Sequence, residues 1–212
     1  MKEILTGGIT YISPIGNSRE WYWGNDYLQG DLYEAEELYK QNSNIKSNRL
    51  ILVHFPNGEV FEPVKPQDNC YFGYPAMEND KLYILQVNFE KSLINIYCFS
   101  TDNQNLSLVV SIPLSEAKDC YNLILHTSPL MLTRDNNDNK FQIIYPVKTE
   151  FEISERESFS FMDDGKMVFN IWHEDPIYRE ETVIRKFPTG EIISKTDGTP
   201  FELPDGKKFI LK

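Results

Sequence analysis

Apolar and polar positions along this chain fall into short runs with strand character rather than helical stripes. Leu82-Tyr83-Ile84-Leu85-Gln86-Val87 follows the turn-forming Glu78-Asn79-Asp80. Leu93-Ile94-Asn95-Ile96-Tyr97-Cys98-Phe99 and Leu106-Ser107-Leu108-Val109-Val110-Ser111-Ile112 flank Thr101-Asp102-Asn103-Gln104-Asn105. Two β-rich runs around an Asp/Asn cluster predict a hairpin, because Asn and Asp tolerate the left-handed backbone of a tight turn. Pro56-Asn57-Gly58, Asp163-Asp164-Gly165, Pro188-Thr189-Gly190 and Pro204-Asp205-Gly206 supply the same turn chemistry elsewhere.

Four of the runs resemble one another: 50–60, 94–101, 141–148 and 183–192. Their aromatic anchors Phe55, Phe99, Tyr145 and Phe187 are separated by 44, 46 and 42 residues. Cys70-Tyr71 and Cys120-Tyr121 open two of the units. A period in this range marks one supersecondary unit copied around an axis or along a stack. The pattern predicts a single domain over 1–212 with units at about 6–64, 70–112, 120–154 and 157–196 and a closing hairpin at 199–212. Four strands are expected in each unit: 8–13, 19–24, 48–55 and 59–64; 70–76, 81–88, 93–100 and 105–112; 121–126, 129–134, 140–146 and 149–154; 157–162, 166–173, 181–187 and 191–195.

The first unit is longer. Trp23 precedes Phe55 by 32 residues, whereas Trp172 precedes Phe187 by 15. The excess contains the one helical pattern, 31–41. Asp31 and Glu34 have capping-box spacing, and Leu28, Leu32, Ala35 and Leu38 or Tyr39 form an apolar stripe.

Four-stranded units of this length predict an all-β, propeller-like fold of four, or with both chain ends five, antiparallel sheets plus one short inserted helix. The Gly-His and Trp-Asp signatures of WD-repeat blades are absent. An antiparallel β-sandwich or a β-barrel-like fold is the alternative.

Composition narrows the partners. The 212 residues carry a formal net charge of −11, which opposes nucleic acid and anionic membrane surfaces. The 13 Phe, 12 Tyr and 3 Trp favour strands and argue against disorder. Cys70, Cys98 and Cys120 are odd in number and lack CxxC spacing, as in reduced cytoplasmic proteins. The first residues lack a signal peptide's apolar stretch, and no long apolar run predicts a membrane span, so a bacterial-type cytoplasmic protein is expected.

Two segments carry candidate chemistry: Trp21-Tyr22-Trp23-Gly24-Asn25-Asp26-Tyr27 and Ile171-Trp172-His173-Glu174-Asp175-Pro176. Each holds a Trp with an acid three residues on. Ligand-binding candidates are therefore Trp21, Trp23, Asp26, Trp172, His173 and Asp175. Aromatic planes beside carboxylates suit a carbohydrate-like ligand; filling gaps between sheets is the structural alternative. Asp26, His173, Glu174 and Asp175 are the candidate acid–base groups. His54 and His126 lie in apolar strands. Asp135-Asn136-Asn137-Asp138-Asn139 is a polar turn, because Lys140 and Pro146 stand where a calcium loop needs Gly and Glu. No nucleophile elbow, phosphate loop or metal-ligand spacing occurs, so neither cofactor nor metal is expected. The acidic segment from Asp31 to Glu37, with Tyr33 and Tyr39, is a possible face for a basic partner.

Together these features point to a non-catalytic module that binds a protein or a carbohydrate-like ligand. The alternatives are a carboxylate-dependent hydrolase of a glycoside-like substrate and an acidic, immunity-type inhibitor of a basic protein.

Overall fold

The computed structural model describes residues 2–26, 30–46, 48–135, 138–203 and 205–212. Tyr27, Leu28, Asn136, Asn137 and Pro204, which figure in the reading above, lie outside them. The chain divides into two compact units, Met1–Cys120 and Tyr121–Lys212.

The first unit holds two antiparallel sheets. One joins β1 (Ser13–Pro14), β2 (Trp21–Asn25), β3 (Leu50–His54) and β4 (Glu59–Phe61) in chain order. The other contains β5 (Cys70–Phe72), β6 (Ala76–Glu78), β7 (Lys81–Asn88), β8 (Leu93–Ser100) and β9 (Asn105–Pro113). Here the single strand expected over 70–76 is split, and both β5 and β6 pair with β7. Pro75 sits in the break, where it need not donate the N–H it lacks. Gly73 lies so close to Leu85 that an added Cβ would come within 2.7 Å of Leu85 Cδ2.

The second unit repeats the plan. β10 (Leu123–His126), β11 (Met131–Asp135), β12 (Lys140–Tyr145) and β13 (Thr149–Glu152) form one meander. β14 (Glu157–Asp163), β15 (Lys166–His173), β16 (Arg179–Lys186) and β17 (Ile192–Asp197) form the next. β18 (Thr199–Glu202) and β19 (Lys208–Leu211) make a two-stranded sheet of their own. Each of the four anchors lies within one residue of the end of the third long strand of its sheet. The repeat read from the sequence is thus a repeat of strand position.

Helix α1 (Leu32–Lys40) forms with its capping box intact. The Glu34 amide donates to Asp31 Oδ1, and the Asp31 amide donates to Glu34 Oε2, each at 2.8 Å. Leu32 and Ala35 are buried as the stripe requires. Tyr39 stacks on Phe89 at 5.3 Å. Glu36, also buried, accepts from the Cys120 amide at 2.7 Å and pairs with Lys40 at 3.3 Å.

Within each unit, apolar residues from both large sheets meet in a shared core, and in the first unit Ile9, Ile51 and Val53 form a further cluster. In the first, Trp21, Trp23, Leu50 and Leu52 meet Phe72, Leu82, Ile84 and Phe99. In the second, Met131, Phe141 and Ile143 meet Met167, Phe169, Ile171 and Val183. A buried ion pair borders this second core. Arg185 donates from Nε to Glu157 Oε1 at 2.6 Å and from a terminal nitrogen to Oε2 at 2.9 Å.

Candidate functional site

The second strand of the fourth sheet, β15, alternates strictly. Met167, Phe169 and Ile171 point into the core, and His173 continues their face, while Val168, Asn170 and Trp172 take the other. Cross-strand register then fixes what surrounds His173. Ile171 is opposite Glu181, His173 opposite Arg179, Glu181 opposite Asp197 and Val183 opposite Lys195. Beyond the apolar core this face therefore turns ionic. His173 Nε2 lies 3.9 Å and Lys195 Nζ 3.8 Å from the same oxygen, Glu181 Oε2, and Arg179 lies 3.8 Å from Asp197. His173 Nε2 is buried and makes no hydrogen bond among the described residues.

On the other face Trp172 is 38 % exposed. The Arg156 guanidinium covers its ring at 4.5 Å and reaches Glu174 at 3.5 Å. Asn170 donates to Glu180 Oε2 at 3.1 Å, and the Tyr178 hydroxyl donates to Glu180 Oε1 at 2.5 Å. The Tyr178 hydrogen bond holds the Glu180 carboxyl below the usual carboxylate range. The connection between β15 and β16 projects Ile177, 75 % exposed, and Tyr178, 63 % exposed, beside Trp172 in the chain. Glu174 and Asp175 are exposed in the same connection.

The first-unit candidates have a different environment. Trp21 and Trp23 share one face of the five-residue strand β2, and both are buried, at 5 % and 7 % exposure. Trp21 stacks on His54 at 4.6 Å, and Trp23 meets Tyr74 edge-on at 5.2 Å. Asp26 is half-buried and accepts from the Arg49 amide at 3.1 Å. Asp26, Trp21 and Trp23 belong to Met1–Cys120, whereas Trp172, His173, Glu174 and Asp175 belong to Tyr121–Lys212. The structure brings the latter four together on one strand end and its loop. It adds Arg156, Arg179, Glu180, Glu181 and Lys195, none of which lies in the two candidate segments. For Arg179, Glu180 and Glu181 the one signal is the charged opening of β16, ahead of Thr182-Val183-Ile184.

Burial also shifts titrating groups away from this site. Cys70, Cys98 and Cys120 are free thiols, and burial pushes all three upward, Cys120 most. Burial pushes His126 down to about 4. Among the described residues no three His, Cys, Asp or Glu side chains are grouped to hold a metal ion. No helix among them is long and apolar enough to cross a membrane.

No protein-family model and no curated protein sequence matches this chain. Solved structures do. The Pyrococcus horikoshii acylaminoacyl peptidase aligns over 96% of this chain and 35% of its own, at 11% identity and a TM-score of 0.50. An acylaminoacyl peptidase in complex with Z-Gly-Gly-Phe-chloromethyl ketone aligns over 92% of this chain and 34% of its own, at 13% identity and 0.49. The β-propeller domain of the trilobed protease from Pyrococcus furiosus aligns over 92% of this chain and 60% of its own, at 14% identity and 0.48. The chain thus covers about a third of the two peptidase chains and 60% of the propeller-domain chain. At such identities the likeness speaks to fold alone: a propeller-like, all-β fold of four-stranded antiparallel sheets.

Proposed function

We propose that this chain is a non-catalytic, protein-binding module and that it meets its partner through the end of the fourth sheet. The observation that carries this reading is the exposure of Trp172 at the end of β15 and of Ile177 and Tyr178 on the short β15–β16 connection that follows it. Large apolar and aromatic side chains left in water together mark interaction surfaces, and Trp, Tyr and Arg dominate binding hot spots. Arg156 already occupies one face of the Trp172 ring, which favours a protein epitope over a sugar stacked on that face. The net charge of −11 would speed the approach of a basic partner and make the association rate salt-sensitive.

The hydrolase alternative is less well supported here. Glycoside cleavage needs one carboxyl held protonated near neutrality. Its candidate acids Glu174 and Asp175 are exposed on the β15–β16 connection, Glu180 beside them is driven the opposite way, and the carboxyl that burial does push up, Asp135, lies on β11 and not at this site. The test is selection of a displayed peptide library on the immobilised protein, with Trp172→Ala and Tyr178→Ala as counter-targets. Enriched peptides should bind the parent and lose at least tenfold on either variant, since each side chain carries hot-spot energy of about 2 kcal/mol. Peptides that bind both variants as tightly as the parent would rule the surface out.

A further inference from the structure

The longest strand among the described residues, the nine-residue β9, is also an outer edge of its sheet. It pairs with β8 and, among those residues, with no other strand. Proteins blunt such edges with charge, because a row of unpaired N–H and C=O groups templates pairing with another chain. The last strands of the other sheets follow that rule. Glu59 stands on β4, Glu150 and Glu152 on β13, Lys195 and Asp197 on β17, and Lys208 on β19. β9 carries no charged residue, and the nearest charges along the chain, Asp102, Glu116 and Lys118, lie beyond its ends. The first strands β1, β5 and β10 lack acids, Lys and Arg too, but span only two, three and four residues. At the middle of β9, Leu108 is 54 % and Val109 39 % exposed.

Hydrogen bonding fixes which backbone groups point outward. The Leu114 amide bonds inward to the Ser92 carbonyl at 2.8 Å, so alternation turns Ser111 and the Pro113 carbonyl away from β8. At the other end the Thr101 amide bonds to the Asp80 carbonyl, on the β7 side, so Ser100 bonds toward Asn105 and alternation turns Leu106 and Leu108 outward. Val109 is the extra residue of a β-bulge between the two stretches. The bulge does not interrupt the edge. Leu106, Leu108, Ser111 and Pro113 lie opposite Phe99, Tyr97, Asn95 and Leu93, every second residue of β8, so the outward groups keep the spacing of a regular ladder.

We propose that β9 pairs with β9 of a second copy of this chain, antiparallel about a two-fold axis between Val109 and Val110. This register sets Leu108 against the partner's Ser111 and Leu106 against the partner's Pro113, and it joins the two sheets into one. The choice of occupant rests on charge. In a two-fold pair a strand meets its own residues, so a charged edge brings like charges together. Among the last strands β9 alone avoids that penalty, and it offers an acidic or basic peptide no counter-charge. With one β9 per chain, the assembly closes at two. The net charge of −11 on each copy opposes association at long range, and salt screens it. The inference is independent of the protein-binding reading, since it uses neither Trp172 nor the β15–β16 connection; a dimer presents that surface twice.

The test is sedimentation equilibrium of the full chain over a range of salt concentrations. The protein should reach twice its 24.8 kDa mass, and salt should tighten the dimer. Leu108→Lys and Val109→Lys each enter the interface twice and bring like charges to the axis, so each should weaken the dimer about tenfold. Ile193→Lys, at the exposed bulge of β17, should leave it unchanged. All three side chains are exposed, so none of these changes disturbs the core. Register is read by cross-linking. An equimolar mixture of Leu108→Cys and Ser111→Cys should form a disulfide-linked dimer under mild oxidation, because directly opposite residues lie within disulfide reach, and neither variant alone should. A monomer at millimolar protein in high salt, a dimer loosened by salt, one that survives both lysine variants, or one lost with Ile193→Lys would each overturn the proposal. Cross-linking of either cysteine variant alone, as fast as the mixture, would overturn the register.

Discussion

Two half-buried titrating groups in the second unit should cancel each other's effect on stability, and removing either one should expose the other. His126 on β10 bonds through Nε2 to Thr133 Oγ1 at 2.9 Å and meets the Phe159 ring edge-on at 4.8 Å. Asp135 on β11 accepts from the Phe159 amide at 3.2 Å through Oδ2, while its buried Oδ1 has no hydrogen bond among the described residues. Burial pushes His126 from its ordinary 6.5 down to about 4. Burial, aided by Glu157, pushes Asp135 from 3.8 up to about 6, against the Phe159 amide and Arg134.

The signs are opposite. Between pH 6.5 and 4 the unfolded chain protonates His126 and the folded protein does not, so stability is lost as pH falls. Between pH 6 and 4 the folded protein holds a proton on Asp135 that the unfolded chain gives up, so stability is gained as pH falls. At about 1.4 kcal/mol for each tenfold change, moving His126 from 6.5 to about 4 and Asp135 from 3.8 to about 6 corresponds to about 3 kcal/mol each. Urea unfolding from pH 7 to pH 4 is the assay. Relative to the parent, His126→Gln should gain about 3 kcal/mol of stability over that descent, and Asp135→Asn should lose about 3 kcal/mol. The double variant should return to the parent's slope. Four superimposable pH profiles would refute the reasoning.

Other substitutions probe the core and its turns. Glu157→Ala leaves the buried Arg185 guanidinium, 7 % exposed, without its bidentate partner, and should cost about 3–5 kcal/mol in denaturant unfolding. Glu157→Leu with Arg185→Met should recover most of that loss, because paired apolar replacements remove both desolvation penalties. Gly190 has φ +75°, and an added Cβ would lie 2.2 Å from Phe151 Cγ. Gly190→Ala should therefore lower stability by at least about 1 kcal/mol, seen as a reduced thermal midpoint. Asp31→Ala removes the helix cap and should cost about 1 kcal/mol, read by chemical denaturation.

Local patterning made most of the fold legible. Alternation and Asn/Asp/Gly turns located the long strands of all four sheets, and Asp31 with Glu34 located the helix start. The break in the second sheet's first strand was signalled by Pro75, which lies between two otherwise strand-like triplets. Much less of the candidate site was legible. Trp23 and Trp172 look equivalent in the sequence, each with an acid three residues on. Strand parity separates them: Trp23 is in phase with buried Trp21, whereas Trp172 is out of phase with buried Met167, Phe169 and Ile171. The ionic neighbours of His173 come from β16 and β17, at positions fixed by cross-strand register. No local sequence window contains that information.

The three tryptophans offer the most direct test of where this protein meets its partner. Fluorine NMR of 5-fluorotryptophan-labelled protein, assigned with Trp172→Phe, can be followed during titration with a library-selected peptide. Binding at the end of the fourth sheet predicts that the Trp172 resonance shifts while those of buried Trp21 and Trp23 hold. A shift confined to Trp21 or Trp23, with Trp172 unmoved, would place the binding surface elsewhere.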